Sequence, residues 1–296
     1  MFTGLSAFPL TPLNEINLDE TAFIGLLERL VCAQVDSIGT LGSTGSYAYL
    51  NRTERKRIAE LSVEHAQGIP VMASISALRT RDVLLLAEDM QQVGVNAVLL
   101  APVSYQKLTD EEVYQHYATV SRALSVPLCI YDNPGTTNFE FSHALYAEIA
   151  SLANIRSIKI PGVPTELDIA TDHINALKSL VSSDVSLGVS GDAHGSNGLM
   201  AGCQLWYSGI AGLFPNSMLR ITRAIQGKNY PEALTLNQAL EPLWALFNQH
   251  GSLRVIAAAA ELLGLVNENC LPLPLRSLSK ESRQQLFSVL NKLDLN

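Results

Sequence analysis

Eight short β-like runs alternate with amphipathic stretches of helical length, and this alternation predicts an α/β fold, a (β/α)8 TIM barrel of parallel strands. Most runs recur at intervals of about 30 residues, the length of one βα unit. The turn after the first run is Pro9-Leu10-Thr11-Pro12, whereas a dinucleotide-binding sheet has glycines there. The predicted strands are 4–8, 37–41, 70–75, 97–101, 128–131, 155–160, 185–190 and 207–212.

The stretches between these runs carry signals for helix ends. Thr109 precedes three acidic residues and predicts a capping box, and Thr53 before Glu54 is predicted to be an N-cap. Gly94 follows a helical run, where the left-handed C-cap conformation favours glycine. The predicted helices between the strands are 19–33, 53–67, 80–93, 109–124, 142–152, 165–181 and 196–201.

After residue 212 the β-like runs stop, and only helical patterns follow. The predicted helices are 217–226, 230–248, 252–263 and 279–292. We therefore predict two domains, a barrel over residues 1–216 and a C-terminal all-α extension over residues 217–296.

Composition excludes several classes of function. The net charge of −8 leaves no basic stripe for a nucleic acid. No apolar run of about 18 residues occurs, and the first residues lack the pattern of a secretory signal, so we expect no membrane contact and a cytoplasmic location. The cysteines and histidines lack metal-site spacing, and no phosphate-binding loop motif occurs, so we predict no metal and no cofactor.

A lysine in the sixth predicted strand is the first candidate for chemistry. Strand alternation puts Ile158 and Ile160 on one face and Ser157 and Lys159 on the other. A lysine held among uncharged groups loses the hydration of its ammonium form, so the neutral amine becomes available to attack a carbonyl and form a Schiff base. The structural alternative is that Lys159 ends an edge strand and extends its amine to water.

Other candidates follow other strands at their C-terminal ends, where barrels of this type carry functional groups. The loop 42–45 can bring two hydroxyls and several backbone amides onto a carboxylate, although glycine and serine also fill ordinary turns. Tyr131 ends the fifth strand and could transfer protons, or it could simply line the barrel. Asp192 after the seventh strand is more typical of a turn than of a ligand.

Segments spread over nearly the whole chain resemble the pyruvate-dependent class I aldolase family, which includes dihydrodipicolinate synthase and N-acetylneuraminate lyase. Each segment alone is a loose motif, but their order and spacing are specific. The matching segments are 7–12, 42–46, 130–134, 158–159 and 190–192.

The resemblance implies roles for individual residues. Lys159 would be the Schiff-base lysine, and Tyr131 would be the proton-transfer residue. Ser43 would act beside them, binding the pyruvate carboxylate together with Thr44. The other substrate-binding residues in this interpretation are Gly42, Gly45, Thr136 and Ala211.

Two departures from the family pattern concern the groups around this centre. Ser104 stands where many members have a tyrosine that reaches a neighbouring subunit, and Tyr105 follows it, so these two residues are the candidates for a hydroxyl relay. Thr136 stands where synthases have an arginine that meets the carboxylate of the second substrate. The first half-reaction therefore looks preserved, and the second-substrate site looks rebuilt.

We interpret the chain as a Schiff-base-forming lyase or aldolase acting on pyruvate or a related 2-oxo acid, similar to dihydrodipicolinate synthase but with an altered second-substrate site. One alternative is a sugar-acid lyase, dehydratase or deaminase that uses the same imine. Another is a non-catalytic barrel that binds a 2-oxo acid. The family habit further implies a homo-oligomer, a tetramer or a dimer.

Overall fold

The computed structural model describes residues 2–14, 16–293 and 295, and its centre is a closed barrel of eight parallel strands. Each strand pairs with the next along the chain, and the last pairs with the first, which confirms the predicted (β/α)8 fold with C-terminal helices. The strands are β1 Gly4–Ala7, β2 Ser37–Thr40, β3 Val71–Ser74, β4 Ala97–Leu100, β5 Leu128–Tyr131, β6 Ile155–Ile160, β7 Ser186–Val189 and β8 Leu205–Ser208.

The register of β5 and β6 brings two predicted site residues side by side. Tyr131 pairs with Lys159 in this parallel ladder. Ile158 and Ile160 pack in the large apolar layer, while Ser157 hydrogen-bonds Tyr207 inside the barrel. Lys159 therefore points into the barrel, on the face that the strand alternation predicts.

Small residues on the inner face make room for aromatic rings. A side chain at Gly39 would lie 2.2 Å from the Phe8 ring, and one at Gly188 would lie 2.4 Å from the Tyr207 ring. The two rings meet edge to face with their centroids 6.0 Å apart. The barrel interior is thus a packed aromatic core that surrounds Lys159.

Helices surround the strands and continue beyond β8. Besides short 3₁₀ turns, the helices in the described part of the chain are α1 Glu20–Ala33, α2 Arg52–His65, α3 Thr80–Val93, α4 Asp110–Arg122, α5 Pro134–Thr137, α6 His143–Ala150, α7 Leu167–Leu180, α8 Gly195–Met200, α9 Pro215–Gln226, α10 Tyr230–Ala239, α11 Glu241–His250, α12 Ser252–Leu262 and α13 Lys280–Leu293. No helix among the described residues is both long and apolar enough to cross a membrane.

Two of the predicted helix ends are confirmed and one is wrong. Thr109 caps α4 in a reciprocal box with Glu112, and Gly94 ends α3 in the left-handed conformation at φ 89°. The predicted cap Thr53 lies inside α2, because Asn51 accepts the backbone N–H of Glu54 and forms the capping box instead.

The eighth strand ends earlier than the sequence predicts. A 3₁₀ turn, Ile210–Gly212, occupies the second half of the predicted strand 207–212. The backbone N–H of Ile210 donates to Asp192, and that of Ala211 donates to the Ser208 hydroxyl, each at 3.0 Å. These donors are taken by side chains, so the segment leaves the ladder.

The predicted helix 230–248 is two helices, because Pro242 interrupts it after Leu240. Proline has no N–H for the preceding turn, and its ring clashes with the carbonyl four residues earlier. The break turns α11 towards the C-terminal rim of the barrel, where Phe247 lines the site described below.

The helix α9 packs against β1 and α1, so it completes the ring of helices around the barrel. Beyond it, α12 and α13 are tied together by the buried carboxylate of Glu261, which pairs with Arg283 and accepts the Ser277 hydroxyl. The division into 1–216 and 217–296 stays a prediction.

Candidate active site

A cavity of about 410 Å³ opens at the C-terminal ends of the barrel strands. Its walls include the predicted residues Ser43, Thr44, Tyr131, Thr136 and Lys159, which the fold brings together from four segments of the chain. A larger groove of about 620 Å³ lies beside α12 and α13, and none of these residues lines it. We place the candidate site in the smaller cavity because that is where a nucleophile and hydroxyl groups converge.

Lys159 is enclosed by aromatic faces. Its side chain is nearly buried, and Nζ lies 4.1 Å from the centroid of the Tyr131 ring and 4.4 Å from that of Phe8. The Tyr207 ring lies 5.5 Å from the same nitrogen. Such rings remove water from an amine, and their faces attract its ammonium form. The amine is thus held in one place with its end open to the cavity.

The Tyr131 hydroxyl is the centre of a small hydrogen-bonded group. It lies 3.1 Å from the Ser43 hydroxyl and accepts a hydrogen bond of 2.9 Å from Nδ2 of Asn133. With Asn133 as a donor, the proton of Tyr131 is free to point to Ser43 or to a bound molecule. This arrangement can pass a proton between the cavity and the hydroxyl pair.

The next residue, Asp132, points away from the cavity. Its Oδ2 accepts a hydrogen bond of 2.5 Å from the Tyr146 hydroxyl. Burial raises the pKa of Asp132 to about 6, although the Tyr146 donor opposes that rise. Asp132 therefore supports the end of β5 rather than the reacting groups.

Thr44 and Asp192 both lie close to Gly209. A side chain on Gly209 would lie 2.7 Å from Oγ1 of Thr44 and 3.4 Å from Oδ2 of Asp192. Asp192 is buried and accepts hydrogen bonds from the Ser208 hydroxyl at 2.6 Å and from the Ile210 amide. Burial raises the pKa of Asp192 despite these donors and the nearby charge of Lys159. Asp192 thus braces the turn after β8.

Polar groups fill the barrel beneath Lys159. The Tyr207 hydroxyl bonds to Ser157 at 2.7 Å and to the Cys129 thiol at 3.3 Å, and Ser157 bonds to Ser186. Burial raises the pKa of Cys129 to about 11 and also raises that of Tyr207. These groups are neutral at physiological pH, and the Tyr207 side chain among them lines the cavity.

Some predicted site residues lie outside the cavity walls. Ala211 is fully buried, and its amide is bonded to Ser208. Gly42 and Gly45 allow close packing of the loop. A side chain at Gly42 would meet Phe8, and one at Gly45 would meet Thr11. None of these three residues lines the cavity, and their part in substrate binding stays a prediction.

The predicted hydroxyl relay is not formed within one chain. Tyr105 is 91% exposed, and neither it nor Ser104 lines the cavity. The Ser104 hydroxyl donates to the carbonyl of Gln106 instead. A relay through either residue would require a second copy of the chain.

The cavity also contains residues to which the sequence analysis assigned no role. Asn133 follows Tyr131 directly and could have been found from that position, and His194 closely follows Asp192. Phe247, Asn248 and Ser252 come from α11 and α12, and no sequence signal connects them with the barrel. The described residues contain no group of three or more His, Cys, Asp or Glu side chains able to hold a metal.

Comparisons with known proteins agree with this architecture. The model of the dihydrodipicolinate synthetase family matches residues 1–293. A 4-hydroxy-tetrahydrodipicolinate synthase from Rickettsia canadensis is 27% identical, over 100% of this chain and 98% of its own length.

Two solved structures extend the comparison. A dihydrodipicolinate synthase structure from Agrobacterium tumefaciens is 44% identical, with a TM-score of 0.95 over 99% of this chain and 98% of that chain. A structure described as the first monomeric dihydrodipicolinate synthase variant is 26% identical, with a TM-score of 0.91 over 100% of this chain and 98% of that chain. With the family model covering nearly every residue and the barrel, tail and cavity in place, the chain belongs to the dihydrodipicolinate synthetase family.

Proposed function

We propose that Lys159 forms a Schiff base with pyruvate or a related 2-oxo acid and that the chain acts on this imine as a lyase or aldolase. The observation that carries the proposal is the position of Nζ, which lies within 4.1 Å of the Tyr131 ring centroid and opens into the cavity. A desolvated amine beside a hydroxyl pair is the arrangement that imine formation needs.

The proposed first step follows from these groups. The neutral amine attacks the carbonyl carbon, and a proton moves from nitrogen to the carbonyl oxygen, which gives a carbinolamine. The oxygen takes up a second proton, delivered through the Tyr131 hydroxyl, and leaves as water, so that a protonated imine remains on Lys159. Tyr131 is the proposed proton carrier, because its hydroxyl faces the cavity and is bonded to Ser43.

The carboxylate of the acid is proposed to bind at the loop after β2. Ser43 and Thr44 line the cavity there, and their hydroxyls and amides are donors that suit a small anion. Gly209 leaves the Thr44 hydroxyl unobstructed. In this interpretation Gly42 and Gly45 shape the loop rather than touch the acid.

The outer part of the cavity supports an altered second-substrate site. Thr136 lines it with a neutral hydroxyl that donates to the carbonyl of Asn133 at 3.3 Å. Its other polar wall residues include Asn248 and Ser252, which are also neutral. Among the residues that line the cavity, Lys159 is the only lysine, and there is no arginine. A second carboxylate therefore lacks a bidentate partner here.

This neutral lining favours a second candidate within the same chemistry. A sugar-acid lyase, dehydratase or deaminase would bind a chain of hydroxyls, which amides and hydroxyls match well. We propose that such hydroxylated acids are better substrates than aspartate semialdehyde, the acceptor of the synthases that this chain resembles.

The test of the proposal is reductive trapping. Pyruvate with borohydride should add the mass of a reduced pyruvyl group to the peptide containing Lys159. Lys159→Ala should abolish the label, whereas Lys107→Ala, which removes an exposed lysine from the loop before α4, should keep it. Labelling that persists in Lys159→Ala would disprove the assignment.

A homo-oligomer with twofold interfaces, a tetramer or a dimer, is also proposed. The support is apolar surface near the strand-four loop, where Leu78 is 66% and Tyr105 is 91% exposed. Light scattering at micromolar concentration should give a multiple of the mass of 32.1 kDa, and a monomeric mass would contradict the proposal.

A further inference from the structure

His194 lies in the cavity wall on the side of the loops after β6 and β7. It is the last residue of a short 3₁₀ turn, Asp192–His194, which begins three residues after β7 ends. Its ring is half-buried and lines the same cavity as Lys159 and Thr136. The proposed imine chemistry leaves this side chain without a role.

The orientation of the His194 ring is set by one hydrogen bond. Nδ1 lies 2.9 Å from the carbonyl oxygen of Val163. A carbonyl can only accept, so Nδ1 carries the hydrogen, and in the neutral ring Nε2 is left as an acceptor. No described residue makes a hydrogen bond to Nε2.

Two glycines, Gly162 and Gly191, pack against the His194 ring and fix its plane. A side chain on Gly162 would lie 2.5 Å from Cδ2 and 2.8 Å from Nε2 of His194, so the ring rests directly on this backbone. Gly191 approaches the same Cδ2, with a built side-chain position at 3.4 Å. Gly162 comes three residues after Lys159, so the ring is packed against the loop that leaves the reactive strand. The free nitrogen is therefore presented in a fixed direction.

The polar groups next to His194 in the outer cavity already have hydrogen-bond partners, whereas its Nε2 has none among the described residues. Both oxygens of Asp192 are occupied, by Ser208 and by the Ile210 amide. The Ser190 hydroxyl donates to the carbonyl of Ile160. Among the residues lining this part of the cavity, Nε2 of His194 is thus a preoriented acceptor without an internal partner.

We propose that His194 is a specificity-determining residue for the part of the substrate beyond the imine carbon. Its Nε2 accepts a hydrogen bond from a hydroxyl group on that carbon chain, so the site selects hydroxylated 2-oxo acids over apolar ones of equal length. The inference rests on the proposed Schiff base at Lys159. A fixed polar group selects in this way because an apolar substrate leaves it desolvated and unpaired.

The experiment compares three acids by the concentration that gives half-maximal borohydride trapping. The probes are pyruvate, 2-oxohexanoate and 2-oxo-3-deoxyhexonate, which has the same chain length with hydroxyls. In the wild-type protein the hydroxylated acid should trap at lower concentration than 2-oxohexanoate. His194→Leu should raise the value for the hydroxylated acid about tenfold and leave that for pyruvate within about twofold, as expected for one lost hydrogen bond.

Two further variants separate recognition from folding. His194→Gln keeps a polar group near the position of Nε2 and should recover most of the preference. His143→Leu makes the same change at an exposed position on α6 and should alter none of the three values.

Equal shifts for all three acids in His194→Leu, or no shift for any, would overturn the role of His194 while Lys159 trapping stands. If wild-type protein traps none of the acids, the proposed function fails, and this inference fails with it.

Discussion

The Ser43 hydroxyl lies 3.1 Å from the Tyr131 hydroxyl, although 88 positions separate the two residues in the sequence. The contact exists because the loop after β2 and the end of β5 meet at the same rim of the barrel. Asn133 donates to the same tyrosine oxygen, so the tyrosine proton is directed to Ser43 or to the cavity. The first prediction follows from this geometry.

Tyr131→Phe should lower kcat by about two to four powers of ten, because proton transfer loses its carrier. KM should change little, since the ring still packs beside Lys159. Steady-state kinetics with the best 2-oxo acid from the trapping panel measures both constants. Tyr230→Phe, an exposed tyrosine at the start of α10, is the matched control and should behave as wild type. A Tyr131→Phe enzyme within threefold of wild type would rule out the proton-transfer role.

Gly209→Ala should weaken binding of every 2-oxo acid. The added carbon would lie 2.7 Å from Oγ1 of Thr44, so the hydroxyl must turn away from its position in the cavity. We expect the half-saturating concentration for trapping to rise about tenfold, the equivalent of one hydrogen bond. Gly25→Ala, where no atom lies within 4 Å of the added carbon, is the control. Unchanged trapping in a folded Gly209→Ala protein would remove Thr44 from the proposed carboxylate site.

Thr136→Arg should improve activity with aspartate semialdehyde as acceptor. A guanidinium can bind the acceptor carboxylate through two charged hydrogen bonds, worth about 1.5–3 kcal/mol, which is one to two powers of ten in kcat/KM. A coupled assay with pyruvate measures this change, and Thr53→Arg on the exposed surface of α2 is the control. A wild-type kcat/KM of about 10⁴ M⁻¹s⁻¹ or more would show that Thr136 does not limit this acceptor.

The stability of the fold should depend on pH through Asp132. Burial raises the pKa of Asp132 in the folded protein to about 6, from the ordinary value of 3.8, so folding takes up a proton between these pH values. Its contribution to the free energy of unfolding is therefore greatest below pH 4 and falls as the pH rises to about 6. Asp132→Asn has no carboxyl to titrate, so its free energy of unfolding does not include this pH-dependent contribution. Between pH 4 and 6 the free energy of unfolding of Asp132→Asn should therefore increase by about 3 kcal/mol relative to that of wild type.

Urea unfolding at several pH values between 4 and 7 measures this difference. Tyr146→Phe provides a second measurement. The Tyr146 hydroxyl donates to Asp132 and thereby lowers the pKa of Asp132, so its removal should raise that pKa further. The transition should then move to higher pH. If the difference in free energy of unfolding between Asp132→Asn and wild type does not change with pH, the raised pKa of the buried Asp132 carboxyl is wrong.

Much of the fold could be predicted from the sequence because strands and helices have different periods. The alternation around Lys159 identified its inward face, and family membership confirms the prediction of a lyase of this family. The predicted end of β8 was wrong because Asp192, 18 positions away in the chain, accepts the backbone N–H of Ile210. Such tertiary hydrogen bonds leave no local pattern.

The site was only partly predictable for a similar reason. Residues at strand ends, such as Lys159 and Tyr131, could be placed by the barrel rule alone. Phe247 and Asn248 reach the cavity from a helix whose direction depends on the break at Leu240. His194 is recognisable only once Gly162 and Val163 are seen against its ring. The cytoplasmic location stays a prediction.

The hydroxyl and thiol groups beneath Lys159 also have a kinetic consequence. Ser157, Cys129 and Tyr207 close the barrel from below, so whatever condenses with Lys159 occupies the innermost position. Any second reactant must then arrive above it through the same mouth. Under the proposed function we therefore expect ordered binding, with the imine-forming acid first in synthesis and its pyruvyl fragment last to leave in cleavage. An unreactive second reactant should then trap the acid inside and slow its release.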